Sequence, residues 1–191
     1  MDSLREPYLR DVLRTFRNFK ALAEKALAQV SDDQLHTALD AAESNTLAII
    51  VKHVGGNLRS RFTDFLTTDG EKPWRKREEE FQARRVTKQE LLAHWEAGWS
   101  PLLATLSTLT DADLTRSVTI RGQPLRVDEA LHRSLAHSSY HVGQIVYAAR
   151  ALRGSAWRFL SIPPGRSDAF NANPQGQSAA EHAAWIRRGG A

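Results

Sequence analysis

The chain has no cysteine. That excludes disulfides and thiolate metal ligands, so any metal it binds is held by histidine or carboxylate. Runs of β-branched residues are scarce, while alanine and leucine dominate, a composition that favours helices. No apolar stretch is long enough for a transmembrane helix. The first twenty residues alternate charged and apolar side chains and lack the apolar centre of a signal peptide. The expectation is a soluble, cytoplasmic protein with no membrane partner. A basic stripe interleaved with aromatics is also missing. The net charge is only +4, from 26 Lys+Arg against 22 Asp+Glu, and the basic residues are mostly arginines scattered over the chain. This fits an arginine-rich solvated surface, with an anionic partner such as an acidic substrate as the alternative, and argues against a nucleic-acid partner. The 191 residues suffice for one domain with its own core.

What is present is four amphipathic segments at helical spacing. The first opens on a capping box from Ser3 to Glu6 and carries Leu9, Val12, Phe16, Ala23, Leu27 and Val30. It ends near Val30, where Ser31 to Leu35 starts a short helical turn or connector. The second, capped by Ser44 or Asn45, runs to about Leu66 with a stripe of Leu47, Ile50, Val51, Val54, Leu58, Phe62 and Phe65. Thr87 and Glu90 form another capping box before the third, whose stripe includes Leu91, Trp95, Trp99, Leu102 and Leu106. The paired tryptophans belong to the core, and Pro101 should kink this helix. Thr110 to Leu114 faintly echoes Ser31 to Leu35. The fourth begins near Asp128 with a stripe of Leu131, Leu135, Val142, Ile145, Ala149 and Leu152.

Two histidines of the fourth segment, His137 and His141, are four apart, so they share a helix face and can close on one metal ion. The glutamate of His-Glu-x-x-His zinc proteases is absent, since Ser138 stands there. The spacing therefore suggests a metal and argues against that reaction. Alone, it fits surface or core histidines as well. Both lie on a flank of the apolar stripe together with Gln144. His53 lies on the equivalent flank of the second segment with Asn57 and Asp64, and Arg61 borders it. A flank between core and solvent is where a cleft lining belongs. Gly55 and Gly56 follow His53 directly and allow a close backbone approach or a bend. His94 has no suitably spaced partner and reads as structural or exposed.

Residues 67–86 form a long polar connection, which lets helices two and three be other than antiparallel neighbours. Within it Arg75 to Arg77 precede Glu78 to Glu80, which reads as a solvated charge reversal or, more sharply, as a lid anchored by Trp74. Val118 to Ile120 followed by Arg121 to Pro124 is the only strand-like pattern and predicts a small hairpin or an extended loop. Tyr140 and Tyr147 project away from the histidines and, with Ala136, suggest a homodimer contact; the alternative is that they pack under the tail. Residues 1–155 thus read as an all-α bundle and 156–191 as a C-terminal tail packing on it, with turns at 161–165 and 171–174 and a last short helix over 179–188.

His53, His137 and His141 taken together, with the stretch from His137 to Ile145, resemble the DinB-like superfamily, also called YfiT-like metal-dependent hydrolases. The stretches Asn57 to Leu66, Gly70 to Trp74 and Ser161 to Pro163 are similar to one uncharacterised branch of it. The resemblance covers about residues 1–175. It implies a four-helix bundle with a long crossover after helix two. It also implies a divalent transition metal, zinc or nickel first, on the three histidines. By analogy with thiol transferases and a thiol-dependent isomerase of that superfamily, it implies a metal-activated thiol or water attacking a small electrophilic substrate. A low-molecular-weight thiol is then the cosubstrate, and the chain a homodimer. Helical geometry adds Asn57, Arg61 and Gln144 as residues that orient substrate, Arg61 holding a negative group. The competing expectation is a non-catalytic bundle whose metal is structural, or a stress-related binding protein.

Overall fold

The computed structural model describes residues 5–40 and 44–172. Helices α1 (Arg5–Ala28), α3 (Leu47–Phe62), α5 (Lys88–Thr108) and α6 (Val127–Arg153) form an all-α bundle. The short helices α2 (Asp32–Leu35), α4 (Arg77–Glu80) and α7 (Ser167–Ala172) lie in its connections and tail. The strands β1 (Ser117–Ile120) and β2 (Gln123–Arg126) make one hairpin.

The starts of α2, α3 and α5 have a local chemical cause. Ser31 and Gln34 cap α2 reciprocally, and Thr87 and Glu90 do the same for α5. The cap of α3 is Thr46, whose hydroxyl accepts the Ile49 amide, rather than Ser44 or Asn45. Leu47 is the first helical residue, so Thr46 holds the N-cap position, from which a hydroxyl reaches the amide three residues on. The box expected at Ser3 to Glu6 lies outside the described residues. Helix α3 stops at Phe62, short of the expected Leu66. Asp64 takes a positive φ of 49°, and the resulting turn lets Phe65 stack on Phe62 at 5.1 Å between ring centroids. Asp64 is thus beyond the helix, not on the flank of His53. Helix α5 continues through Pro101.

The cross-helix pairs fix the topology. Phe16 meets Trp99 and Lys20 meets Glu96, so α1 and α5 are antiparallel. Lys52 meets His94 and Phe62 meets Thr105, so α3 and α5 run parallel. Tyr8 meets His132 and Gln29 meets Arg158, so α6 runs parallel to α1. Helices α3 and α5, the second and third of the bundle, are therefore neighbours, but parallel ones. The connection between them must carry the chain back along α3, roughly 24 Å at 1.5 Å per residue.

Glycine permits that parallel pairing. A Cβ on Gly98 would lie 2.3 Å from the Gly55 carbonyl oxygen, and one on Gly55 would lie 2.8 Å from His94 Cδ2. His94 donates through Nε2 to the Lys52 carbonyl at 2.9 Å, the structural role expected of it. Trp95 and Trp99 are fully buried against Phe16, Leu58, Leu102 and Leu131 in one continuous core. Leu35 and Leu114, the two ends of the faint sequence echo, are both buried at the ends of short helical turns.

The hairpin forms where expected. Arg121 and Gly122 both have positive φ, the two-residue geometry that suits the twist of paired strands. Asp69 in the long connection accepts both of their backbone amides, and Gly70 donates to Thr119 O at 2.8 Å. The connection is thus fastened to the hairpin. In the tail, Gln29 exchanges two hydrogen bonds with the Arg158 backbone, and Trp157 packs against the core. Helix α7 spans residues whose end was read as turn; the helix expected over 179–188 lies outside the described residues. Tyr140 does not project away from the histidines, since its ring meets that of His141 edge to face at 4.9 Å between centroids; it and Tyr147 nevertheless remain exposed, so the described part of the tail does not cover them. Among the described residues, no helix is long and apolar enough to cross a membrane.

Candidate metal centre

The antiparallel packing of α3 on α6 brings His53 to His137 and His141. One ligand-competent atom from each lies within 4.8 Å of the others, and these three form the cluster of metal-competent side chains among the described residues. His53 Nε2 and His137 Nε2 are 3.2 Å apart. Two nitrogens each about 2.1 Å from a tetrahedral zinc would lie roughly 3.4 Å apart, so this pair already has chelating geometry.

Protonation follows from the surroundings. Burial, then the neighbouring His141 and His53, push the His137 imidazole down to about 3. Burial also lowers His141, against an opposing hydrogen bond from Gln144. Both are neutral at pH 7, the form that offers a lone pair.

Two of the three rings have their tautomer set from behind. His53 Nδ1 donates to Glu80 Oε2 at 3.0 Å. Burial raises the Glu80 carboxyl, but hydrogen bonds from His53 and Arg75 outweigh it and hold the group ionised, below its ordinary range. An ionised carboxylate only accepts, so Nδ1 carries a hydrogen and Nε2 is the His53 ring nitrogen turned toward the cluster. His141 Nδ1 donates to Gln144 Oε1 at 2.7 Å, which leaves its Nε2 unprotonated. His137 Nδ1 is buried without a hydrogen-bond partner among the described residues. The donor set, three imidazoles with two carrying outer hydrogen-bond partners, fits a divalent transition metal.

Glu80 and Arg75 are what the sequence reading missed. They belong to the charge reversal taken as solvated, yet Arg75's side chain is only 2% exposed and grips Glu80 through Nε and Nη2 at 2.8 and 2.9 Å. Gly56 provides the seat: a Cβ there would lie 2.2 Å from Glu80 Oε1. A glycine three residues after the candidate ligand, on the same face, was the signal available. Trp74 does not anchor a lid, being 46% exposed with the Arg59 guanidinium 5.0 Å over its ring.

A cavity of about 190 Å³ adjoins the centre. Helix α3 supplies His53, Asn57 and Arg61 to it, and α6 supplies Arg133, Ser134 and His137. The connection contributes Arg75 and Arg77, and the hairpin Ile120 and Arg121. Asn57 lines it half-buried, with no hydrogen-bond partner among the described residues. Arg61 also lines it, but its guanidinium bonds the Gly70 carbonyl and lies 3.2 Å from Glu71. Gln144 is not part of the lining; its oxygen is committed to His141. A larger cavity of about 400 Å³ on the other side of the Arg75–Glu80 pair contains none of the three histidines.

No curated protein and no solved structure matches the chain. The family model described as "Protein of unknown function (DUF1572)" matches residues 3–166, almost the whole of the helical bundle together with the connection and hairpin that border the histidines. By that match the chain belongs to the DUF1572 family.

Proposed function

We propose that this protein is a metal-dependent enzyme of the DinB-like type, with His53, His137 and His141 holding a divalent transition metal, zinc or nickel first. The observation that carries the reading is the cluster of three imidazoles, two of them backed by Glu80 and Gln144. A structural zinc is normally closed by a fourth protein ligand, whereas a three-ligand set leaves a position for reactant. When bound, the ion supplies the acidity that lets a thiol or water lose its proton near neutral pH and attack a small electrophile.

The chain's own residues have separable tasks. Glu80 and Gln144 orient the imidazoles, so Gln144 acts behind a ligand and not on substrate. Asn57, one turn from His53 with a free amide, is placed to hydrogen-bond substrate in the cavity. Arg61 adds positive charge to the cavity wall, although Glu71 and Gly70 already engage it. A low-molecular-weight thiol is the favoured cosubstrate, and the partner chain is a second copy. Support for the latter is the exposure of Tyr140 and Tyr147, 64% and 71%, on one face of α6.

The test is elemental analysis of the untagged protein, then a turnover screen of thiols with epoxides, esters and amides. Metal-dependent turnover that Asn57→Ala weakens, with metal content retained, supports the reading. A metal-loaded protein that turns over nothing, with a fourth protein ligand on its ion, returns the site to the structural reading.

A further inference from the structure

The cavity beside the histidines has a charge pattern that the metal does not explain. Five of its ten lining residues are arginines, and no carboxylate is among them. Arg61 and Arg75 are the buried floor. Arg77, Arg121 and Arg133 stand exposed at the rim.

Buried guanidiniums are costly unless paired, and here the partners sit behind them, outside the lining. Glu80 takes Arg75, and Glu71 is shared by Arg61 and Arg121 at 3.2 and 2.9 Å. Arg77 pairs with the neighbouring, largely exposed Glu78, a surface pair of little strength, and its guanidinium lies 4.8 Å over the Phe81 ring. Arg133 has no ion-pair or hydrogen-bond partner among the described residues. Three carboxylates therefore face five guanidiniums, and the excess positive charge points into the cavity. The larger cavity across the Arg75–Glu80 pair differs, since Glu79 and Glu80 line it alongside its cations. A generally arginine-rich surface does not account for one cavity of a single sign beside one of mixed sign.

We infer that this cavity is a subsite for an oxyanion group, carboxylate or phosphoryl, of a small substrate, with Arg133 and Arg77 at the rim as its specificity-determining contacts. The inference rests on the proposed function only for what the adjacent centre does to that substrate. Guanidinium forks match both oxyanions in two-point geometry. The cavity is below the roughly 300–1,000 Å³ of sites that take drug-sized ligands. It therefore suits a molecule with one or two such groups and a short carbon skeleton, its anionic end at the rim and its remainder toward His53 and His137.

The experiment is calorimetric titration of the full chain, metal-loaded and metal-free, with succinate, with inorganic phosphate and with neutral succinamide. Succinate or phosphate should bind at least about tenfold more tightly than succinamide, the margin expected of one charge-assisted contact. The preference should shrink with added salt and persist without metal. It should also fall several-fold in Arg133→Gln, whose exposed position leaves folding intact by circular dichroism. Which anion binds identifies the oxyanion. Equal binding of succinamide overturns the inference, as does a preference present only with metal and unmoved by both Arg133→Gln and Arg77→Gln. Metal stoichiometry, measured on the same samples, separates the two readings. Anion preference without metal uptake sinks the metal centre alone, and metal uptake without anion preference sinks the subsite alone.

Discussion

Glu80 Oε2 lies 3.0 Å from His53 Nδ1, a buried contact across 27 residues that ties the one helical turn of the long connection to the first candidate ligand. Arg75 holds both oxygens of the same carboxylate and Gly56 leaves room for it, so the carboxylate is fixed where it meets the His53 ring. Loss of that backing should cost metal affinity without removing a ligand. Glu80→Gln keeps the shape and loses the charge, and competition with a chelating dye should show affinity roughly 10- to 100-fold weaker. Gly56→Ala should act in the same direction by displacing the carboxylate. Unchanged affinity in both would mean that the contact is incidental.

Removing a ligand outright should be more severe. Two imidazoles rarely hold a divalent ion against buffer, so His137→Ala should lose most bound metal by elemental analysis. Full stoichiometry in that variant would reject the three-histidine assignment.

The Gly55–Gly98 contact makes a prediction about stability with an unusual sign. In a helix interior, replacing glycine with alanine ordinarily gains up to about 1 kcal/mol. At Gly98 the new methyl would meet the Gly55 carbonyl oxygen at 2.3 Å and its Cα at 2.7 Å, backbone that cannot turn aside. Gly98→Ala should therefore destabilise by about 1–3 kcal/mol, read as a fall of several degrees in Tm. A raised Tm would show that α3 and α5 do not pack so closely.

Metal-free protein should be acid-sensitive through His137. Its folded pKa, about 3, is below the ordinary 6.5. Between those values the unfolded chain binds a proton that the folded chain refuses, so stability falls as pH drops through the window and is level above it. Carboxylates such as Asp113, held near 2 chiefly by hydrogen bonds from Thr110, add their own loss at the acid end. The comparison with His137→Gln isolates the imidazole: its Tm should decline less between pH 7 and pH 4. Parallel declines would count against a buried neutral His137.

The exposed tyrosines of α6 predict self-association. Light scattering at micromolar concentration should return twice the chain mass, and the double variant Tyr140→Glu, Tyr147→Glu should return one. A monomeric wild type would leave that helix face to another partner.

Four amphipathic stripes, the Thr87–Glu90 capping box, the hairpin turn and the three histidines were legible in the sequence, because each depends on spacing within one segment: 3.6 residues per helical turn, a side-chain cap three residues from its amide, a two-residue turn. The parallel run of α3 and α5 was not, since it depends on Gly55 meeting Gly98 across 43 positions. Nor was the distinction among Glu78, Glu79 and Glu80, three identical side chains of which one is buried. Only the path of the connection over α3 decides which carboxylate reaches Gly56 and His53, and local sequence carries no record of that path. The same path turns scattered arginines into a cavity of one sign. The candidate ligands were set by periodicity within helices; their orientation and the charge around them were set by packing between segments distant in the chain.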